Sequence, residues 1–211
     1  MTATTQLKVD RGTLVFRDDF HDVSSGWSTA KLPSGSSAGY VNGGYAIVAY
    51  GYLDHADPAP YGLPINQISV SATATESANA PEKSGFGVAC RRGSGESAVY
   101  YEFLVLVGGT WEILVRHASP GSDPESGRLK LGSSPASPGP SSLTVEAMCA
   151  TLSDDRTNRL AFFINNSLVA DIEDPTIGST PIGWFADLIA RSQAVGPSTV
   201  TATQFEIRNL D

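Results

Sequence analysis

Hydrophobic and polar positions alternate with a period of two along most of this chain, and the pattern is clearest between Ser84 and Val115. Phe86, Val88 and Cys90 alternate with Gly85, Gly87 and Ala89. After Arg92-Gly-Ser-Gly-Glu96, a second run puts Tyr101, Phe103, Val105 and Val107 on one face. Gly108-Gly109 turns the chain into a third run with Trp111, Ile113 and Val115 in phase. Period-two alternation between glycine turns predicts three consecutive β-strands. In the middle run Leu104 and Leu106 make the second face apolar as well. A strand that is apolar on both sides belongs between two layers, so it is predicted to sit centrally in a sandwich.

The same reading extends to both ends of the chain. Strands are expected from Thr13–Phe16 running into Arg17-Asp-Asp-Phe20, and at Ile65–Glu76, Leu143–Thr151, Arg159–Ile164, Ser167–Ile172 and Val200–Leu210. Hairpins are expected about Asn42-Gly43, as the two residues of positive φ, and about Asn165-Asn166. Ile182–Ala190 has local helix propensity, but the surrounding sheet and the Gly183-Trp184 pair predict a strand. Gly51–Pro64 reads as a long loop, as do Ala118–Leu131, with a strand near Leu129, and the Pro- and Ser-rich run Ser133–Ser142. No repeat has a fixed period and no long helix is credible. About a dozen short strands predict an all-β antiparallel sandwich, with residues 13–211 as one domain after a polar lead-in at 1–12.

Composition narrows the partners. The chain has 211 residues, 41% hydrophobic, and a net charge of −8. A core is affordable, but no apolar run reaches the roughly 20 residues a bilayer span needs. The acidic balance argues against nucleic acid, which demands clustered Lys and Arg. Neutral sugars, extracellular proteins and cations remain open as partners. The N-terminal residues lack the basic start and apolar core of a signal peptide. Scarce Lys and abundant Ser, Thr, Gly and Pro suggest an extracytoplasmic domain, excised or mature, rather than a cytosolic protein.

Cys90 and Cys149 are each in phase with apolar neighbours. They are either two buried thiols or one disulfide joining neighbouring strands or sheets. The even count, core phase and secreted-type composition favour the disulfide. The three histidines, His21, His55 and His117, match no zinc spacing with them.

Several short segments resemble the concanavalin A-like lectin/glucanase jelly rolls, and among them secreted actinobacterial domains of the laminin G-like or DUF1080-like kind. The segments are Phe16-Arg-Asp-Asp-Phe20 with Ser25-Gly-Trp27, Tyr40-Val-Asn-Gly-Gly-Tyr45, and Phe86-Gly-Val-Ala-Cys-Arg91 with Tyr100-Tyr-Glu-Phe103. Asn158-Arg-Leu160, Ile164-Asn-Asn-Ser-Leu-Val169 with Asp174, and Phe205-Glu-Ile-Arg-Asn-Leu210 complete the set. The resemblance implies a two-sheet jelly roll with its first and last strands side by side and one ligand-bearing sheet face. Lectin-like members often bind calcium, for which Asp18, Asp19, Asp22 and the C-terminal acids could supply oxygens; solvated turns are the competing reading.

Catalytic motifs are missing. The jelly-roll glucanases carry Glu-x-Asp-x-x-Glu on one strand, and that pattern is absent. Asp171 and Glu173 could share a strand face but read as a strand end before Pro175. No Gly-x-Ser-x-Gly elbow, phosphate loop or Gln-x-His element is present. The expected function is therefore a non-catalytic module for a glycan or other extracellular ligand. The alternatives are a glycoside hydrolase or polysaccharide lyase whose site is not advertised, or a protein-interaction domain without a small ligand. The candidate ligand-binding residues are Tyr50, Tyr52, His55 and Tyr61 around the 51–64 loop, and Arg91, Tyr100 and Glu102 on the outer phase of the central strands. Tyrosines also close sandwich edges, so packing is the first expectation for Tyr100 and Trp111. Trp27 and Trp184 are assigned to the core.

Overall fold

A computed structural model describes residues 11–32, 34–50, 54–93, 98–117, 127–152, 156–175, 183–192 and 196–211, with backbone alone at 54–55. The strands in chain order are β1 (Thr13–Asp18), β2 (Ala30–Lys31), β3 (Ser37–Val41), β4 (Gly44–Ala49), β5 (Asp54–Pro58), β6 (Gln67–Glu76), β7 (Gly85–Arg92), β8 (Val99–Leu106) and β9 (Thr110–His117). They continue with β10 (Arg128–Ser133), β11 (Leu143–Thr151), β12 (Asn158–Ile164), β13 (Ser167–Asp174), β14 (Trp184–Arg191) and β15 (Ser198–Asn209). They form two antiparallel sheets. One runs β13-β12-β11-β6-β15-β4-β3-β2, with β1 also on β15; the other runs β10-β9-β8-β7-β14-β5. First and last strands pair directly, Thr13 opposite Asn209.

The alternation explains the layering. Phe86, Val88, Cys90, Tyr101, Phe103, Val105, Trp111, Ile113, Trp184 and Leu188 face inward from the six-stranded sheet. They meet Val70, Ala72, Val145, Ala147, Phe162 and Phe205 of the other sheet, and all are buried. Trp27 and Trp184 lie in this core as expected. Leu104, Leu106, Leu114, Ala89 and Ile189 form a second, smaller apolar cluster on the opposite face of the six-stranded sheet. The double-sided burial expected of β8 therefore holds.

Two expectations need correction. The 51–64 stretch contains β5, which pairs with β14 at the sheet edge. Asp54, His55, Asp57 and Pro58 show no apolar alternation, because an edge strand needs little of it and is protected by charge and proline. In the β3–β4 hairpin only Gly43 has positive φ, at 71°; Asn42 does not share it. Asn165 and Asn166 do both adopt positive φ, at 48° and 66°. Within the 182–190 stretch, strand begins at Trp184, as β14; Ile182 lies outside the described residues.

A disulfide joins Cys90 of β7 to Cys149 of β11 and so ties the two sheets, with Cα atoms 6.4 Å apart. Packed sheets usually lie roughly 10 Å apart, so the layers close in here. The bridged cysteines are 59 positions apart in sequence, and restricting the unfolded state by that loop contributes about 4 kcal/mol on the chain-entropy description.

Inside the sandwich, Glu76 is in phase with Val70, Ala72 and Ala74 and is 2% exposed. Ser198 donates to one of its oxygens at 2.5 Å. Burial pushes its pKa up to about 7, with the Ser198 hydrogen bond pulling the other way.

Two predictions follow from these buried groups. Cys90→Ala/Cys149→Ala lowers the unfolding free energy by about 4 kcal/mol, and the unreduced, denatured wild type shows no reactive thiol; two titrating thiols would remove the bridge. A raised carboxyl pKa adds stability below the unfolded value near 4.5 and loses it as pH rises through about 7. Urea unfolding of Glu76→Gln against wild type between pH 5 and 8 is therefore expected to shift in favour of the variant by roughly 3 kcal/mol. A flat difference would contradict this.

Candidate functional site

Because antiparallel partners lie on the same face, the register of β14, β7, β8 and β9 builds rows of side chains across the outer face of the six-stranded sheet. The first row is Phe185, Arg91, Tyr100 and Arg116. The second is Asp187, Ala89, Glu102 and Leu114, with Arg128 beyond on β10. The third is Ile189, Gly87, Leu104 and Glu112, and the fourth begins Arg191, Gly85, Leu106.

Apart from Arg128 at the β10 edge, the rows beyond the first are closed. Asp187, Leu104 and Arg191 are fully buried, and Glu102 and Glu112 nearly so. Their charges survive burial because they are paired, as buried charges must be. Arg191 reaches Glu102 at 3.6 Å and pairs closely with Glu112. Arg128 binds Glu112 at 3.1 Å, and Arg116 binds Glu102 at 2.5 Å. Arg191 must cross β7 to reach β8 and β9. It can do so because Gly85 and Gly87 place no side chain in its way. A Cβ at Gly87 would run into the main-chain oxygen of Phe103, so the glycine is also what lets β7 and β8 approach.

The first row is half-open. Arg91 is oriented by both oxygens of Asp187, at 3.1 and 3.3 Å, and by the Gly93 carbonyl oxygen, which accepts from Nη1 at 2.9 Å. Its guanidinium lies 4.9 Å from the Phe185 ring centre, a cation–π contact. Arg116 is held through Nε by Glu102. Burial raises the Tyr100 pKa, with Asp187 and Glu102 adding to the effect and Arg91 opposing it. Burial likewise pushes Asp187 up to about 6, against the pull of Arg91.

The expected residues divide between this face and others. Arg91, Tyr100 and Glu102 come together, although Glu102 is a buried anchor behind the row. Tyr61 does not join them: its ring packs against Phe16 of β1, 6.1 Å away, at the rim of the main core. Tyr50 follows β4 in the nine-stranded sheet, 40% exposed, beside Gly35. Tyr52 and the His55 side chain lie outside the described residues. Trp111 faces the core and donates to the Ser133 carbonyl oxygen at 3.0 Å. The expected calcium oxygens serve their own turns. Asp18 accepts from Phe20 N at 2.7 Å and Trp27 Nε1 at 2.9 Å, Asp19 from His21 N, and Asp22 from Ser24 N. Glu206, near the C-terminus, pairs with Arg17 and Arg208. Among the described residues no group of three or more His, Cys, Asp or Glu is arranged to hold a metal. Asp171 on the edge strand β13, part of the nearest thing to a linear carboxylate motif, is held by Arg159 of β12. Phe185, Arg116, Asp187, Glu112 and Arg191 escaped the sequence reading.

No protein-family model matches this sequence, and comparison with curated proteins finds no significant match. The architecture, two antiparallel sheets packed as a jelly-roll sandwich, is shared with solved structures of low identity. A structure described with endo-acting O-glycanases that initiate mucin breakdown in the human gut microbiota superposes with a TM-score of 0.64. Identity is 10%, over 94% of this chain and 100% of that one. The alginate lyase Aly36B, as a double mutant with an alginate trisaccharide, gives 0.59 at 10% identity, over 94% and 99%. The potassium-bound carbohydrate recognition domain of Emp46p gives 0.57 at 9%, over 94% of each.

The paired carboxylates make a stability prediction. Glu112→Gln removes the nearer of the two carboxylates paired with the buried Arg191 guanidinium and is expected to cost about 3 kcal/mol in urea unfolding. Arg159→Ala, which breaks the exposed pair with Asp171, is expected to cost about 1 kcal/mol or less. Equal, small effects would show that the outer-face charges are not a closed network.

Proposed function

We propose that this chain is a non-catalytic extracytoplasmic module that binds a glycan across the first row of the outer sheet face. The observation that carries the reading is the half-open line Phe185–Arg91–Tyr100–Arg116, backed by buried carboxylates already committed to ion pairs. An aromatic ring between oriented polar groups is the kind of surface that holds a sugar ring and fixes its orientation. The proteins of similar fold named above carry glycan binding or glycan cleavage in their descriptions. The inter-sheet disulfide favours an oxidising compartment, and among the described residues no helix is long and apolar enough to cross a membrane.

The alternative is an enzyme acting on the same class of ligand, a hydrolase or lyase.

A glycan array with and without calcium, followed by product analysis, separates the readings. The module binds at least one glycan without turnover and regardless of calcium, and Tyr100→Ala weakens binding at least tenfold. New reducing ends or unsaturated products would overturn it in favour of the enzyme. Silence in both assays would leave a protein-interaction domain.

A further inference from the structure

We infer that Asn42 is a site of spontaneous deamidation, and that the isoaspartyl residue formed there loosens the hold of Tyr40 on the Ser25–Trp27 segment. Asn42 lies in the turn between β3 and β4 of the nine-stranded sheet, so its chemistry does not depend on the glycan-binding reading.

Of the chain's asparagines, Asn42 alone is followed by glycine. In deamidation the main-chain nitrogen of the following residue is the nucleophile. The Gly43 nitrogen forms a bond to Asn42 Cγ, the Cγ–Nδ2 bond breaks, and ammonia leaves with the proton that Gly43 gives up. Water then adds to one of the two carbonyl carbons of the five-membered imide. Opening on one side gives an aspartyl residue. Opening on the other gives an isoaspartyl residue, whose main chain is one carbon longer. A side chain on the following residue hinders the first step, and glycine removes that hindrance while widening the accessible backbone conformations. Asn42 and Gly43 are both exposed at the hairpin tip, within reach of water and hydroxide. The β12–β13 hairpin is the contrast within the same molecule. There Asn165 Oδ1 accepts from Thr144 N at 3.0 Å and Asn166 Oδ1 from Arg11 Nη2 at 2.8 Å, and both asparagines precede a residue with a side chain.

Strand pairing decides where an extra main-chain carbon goes. On the β4 side the backbone is seated against β15: a Cβ at Gly44 would stand 2.8 Å from the Ala202 carbonyl oxygen, and Tyr45 pairs with Ala202. On the β3 side, Tyr40 and Val41 pair with β4, whereas β2 pairs with Ser37 and Ala38. The added length is therefore taken up by β3, beside Tyr40. The Tyr40 hydroxyl lies 2.9 Å from Ser25 Oγ and accepts from Trp27 N at 3.1 Å. Ser25 Oγ and Trp27 Nε1 in turn donate to Asp18 of β1. A shift at the hairpin tip thus reaches, through one side chain, the segment that seats Trp27 in the core. The aspartyl product keeps the original main-chain length and leaves that contact in place.

The test is incubation of the folded protein in mildly alkaline buffer, followed by peptide mapping in a mass spectrometer and enzymatic methyl-labelling of isoaspartyl groups. Asn42 is expected to convert at least tenfold faster than any other asparagine, with isoaspartyl in excess of aspartyl, and Asn42→Gln is expected to remove the signal. Conversion at Asn42 no faster than at Asn166, or seen only after unfolding in urea, would overturn the site. The isoaspartyl form, enriched by chromatography, is then compared with fresh protein by amide hydrogen exchange, which reads local opening. The Trp27 amide is expected to exchange at least tenfold faster in that form. Asn42→Asp, which adds the same charge to an unlengthened main chain, is expected to match the wild type. Unchanged Trp27 exchange in the isoaspartyl form, or equal acceleration in Asn42→Asp, would overturn the coupling through Tyr40.

Discussion

Arg191 is the constraint on which the outer sheet face depends. It is buried at the end of β14 and supplies positive charge to Glu102 and Glu112 on two other strands. Without it, two carboxylates in a nearly dry environment would lose the buried cation they share. Each neighbouring ion pair builds on that arrangement: Arg128 joins at Glu112 and Arg116 at Glu102. The face is thus divided into a closed zone of neutralised charge and apolar side chains, and one half-open row at its margin. That division gives the proposed site its shape, since the closed zone fixes Arg116 from behind while Asp187 fixes Arg91.

Burying the six-stranded sheet on both faces makes demands on the rest of the fold. Inward, the sheet packs on the nine-stranded layer and is tied to it through Cys90 and Cys149. Outward, it cannot be a simple polar surface, and the Leu104, Leu106, Leu114 and Ile189 cluster fills the space between the ion pairs. Polar groups are also kept at the interior margins. Asp57 at the β5 edge accepts from Ser28 at 2.7 Å and meets the Tyr45 hydroxyl, while burial raises its pKa to about 6. Tyr101 donates to Asp174 at 2.6 Å and receives from Asn158. These contacts satisfy buried polar atoms where the two layers end.

Much of the architecture was legible because period-two alternation is a local signal. Phe103, Val105, Leu104 and Leu106 announced a strand buried on both sides, and Cys90 and Cys149 announced themselves by phase. β5 was missed because an edge strand of Asp, His, Asp and Pro carries no such alternation. The site was legible only in part. Arg91 and Tyr100 stood out beside their inward neighbours, but their row is assembled by register across four strands. The phase that placed Trp111 and Ile113 inward also placed Glu112 and Arg116 outward, and the phase of Trp184 likewise turned Phe185, Asp187 and Arg191 outward. No spacing in the linear sequence says that these outward sets face one another. Tyr50, Tyr52, His55 and Tyr61 drew attention by crowding in sequence, yet Tyr50 and Tyr61 fold against parts of the structure away from that row.

The central claim is that ligand contacts the outer face of the six-stranded sheet at its half-open margin. Amide chemical-shift mapping during titration with the tightest ligand found by array tests it most directly. The account predicts the largest perturbations at Phe185, Arg91, Tyr100 and Arg116 and their immediate neighbours, with β11, β12 and β13 unmoved. Perturbations centred on Tyr50 and Tyr61, or on the outer face of the nine-stranded sheet, would contradict it.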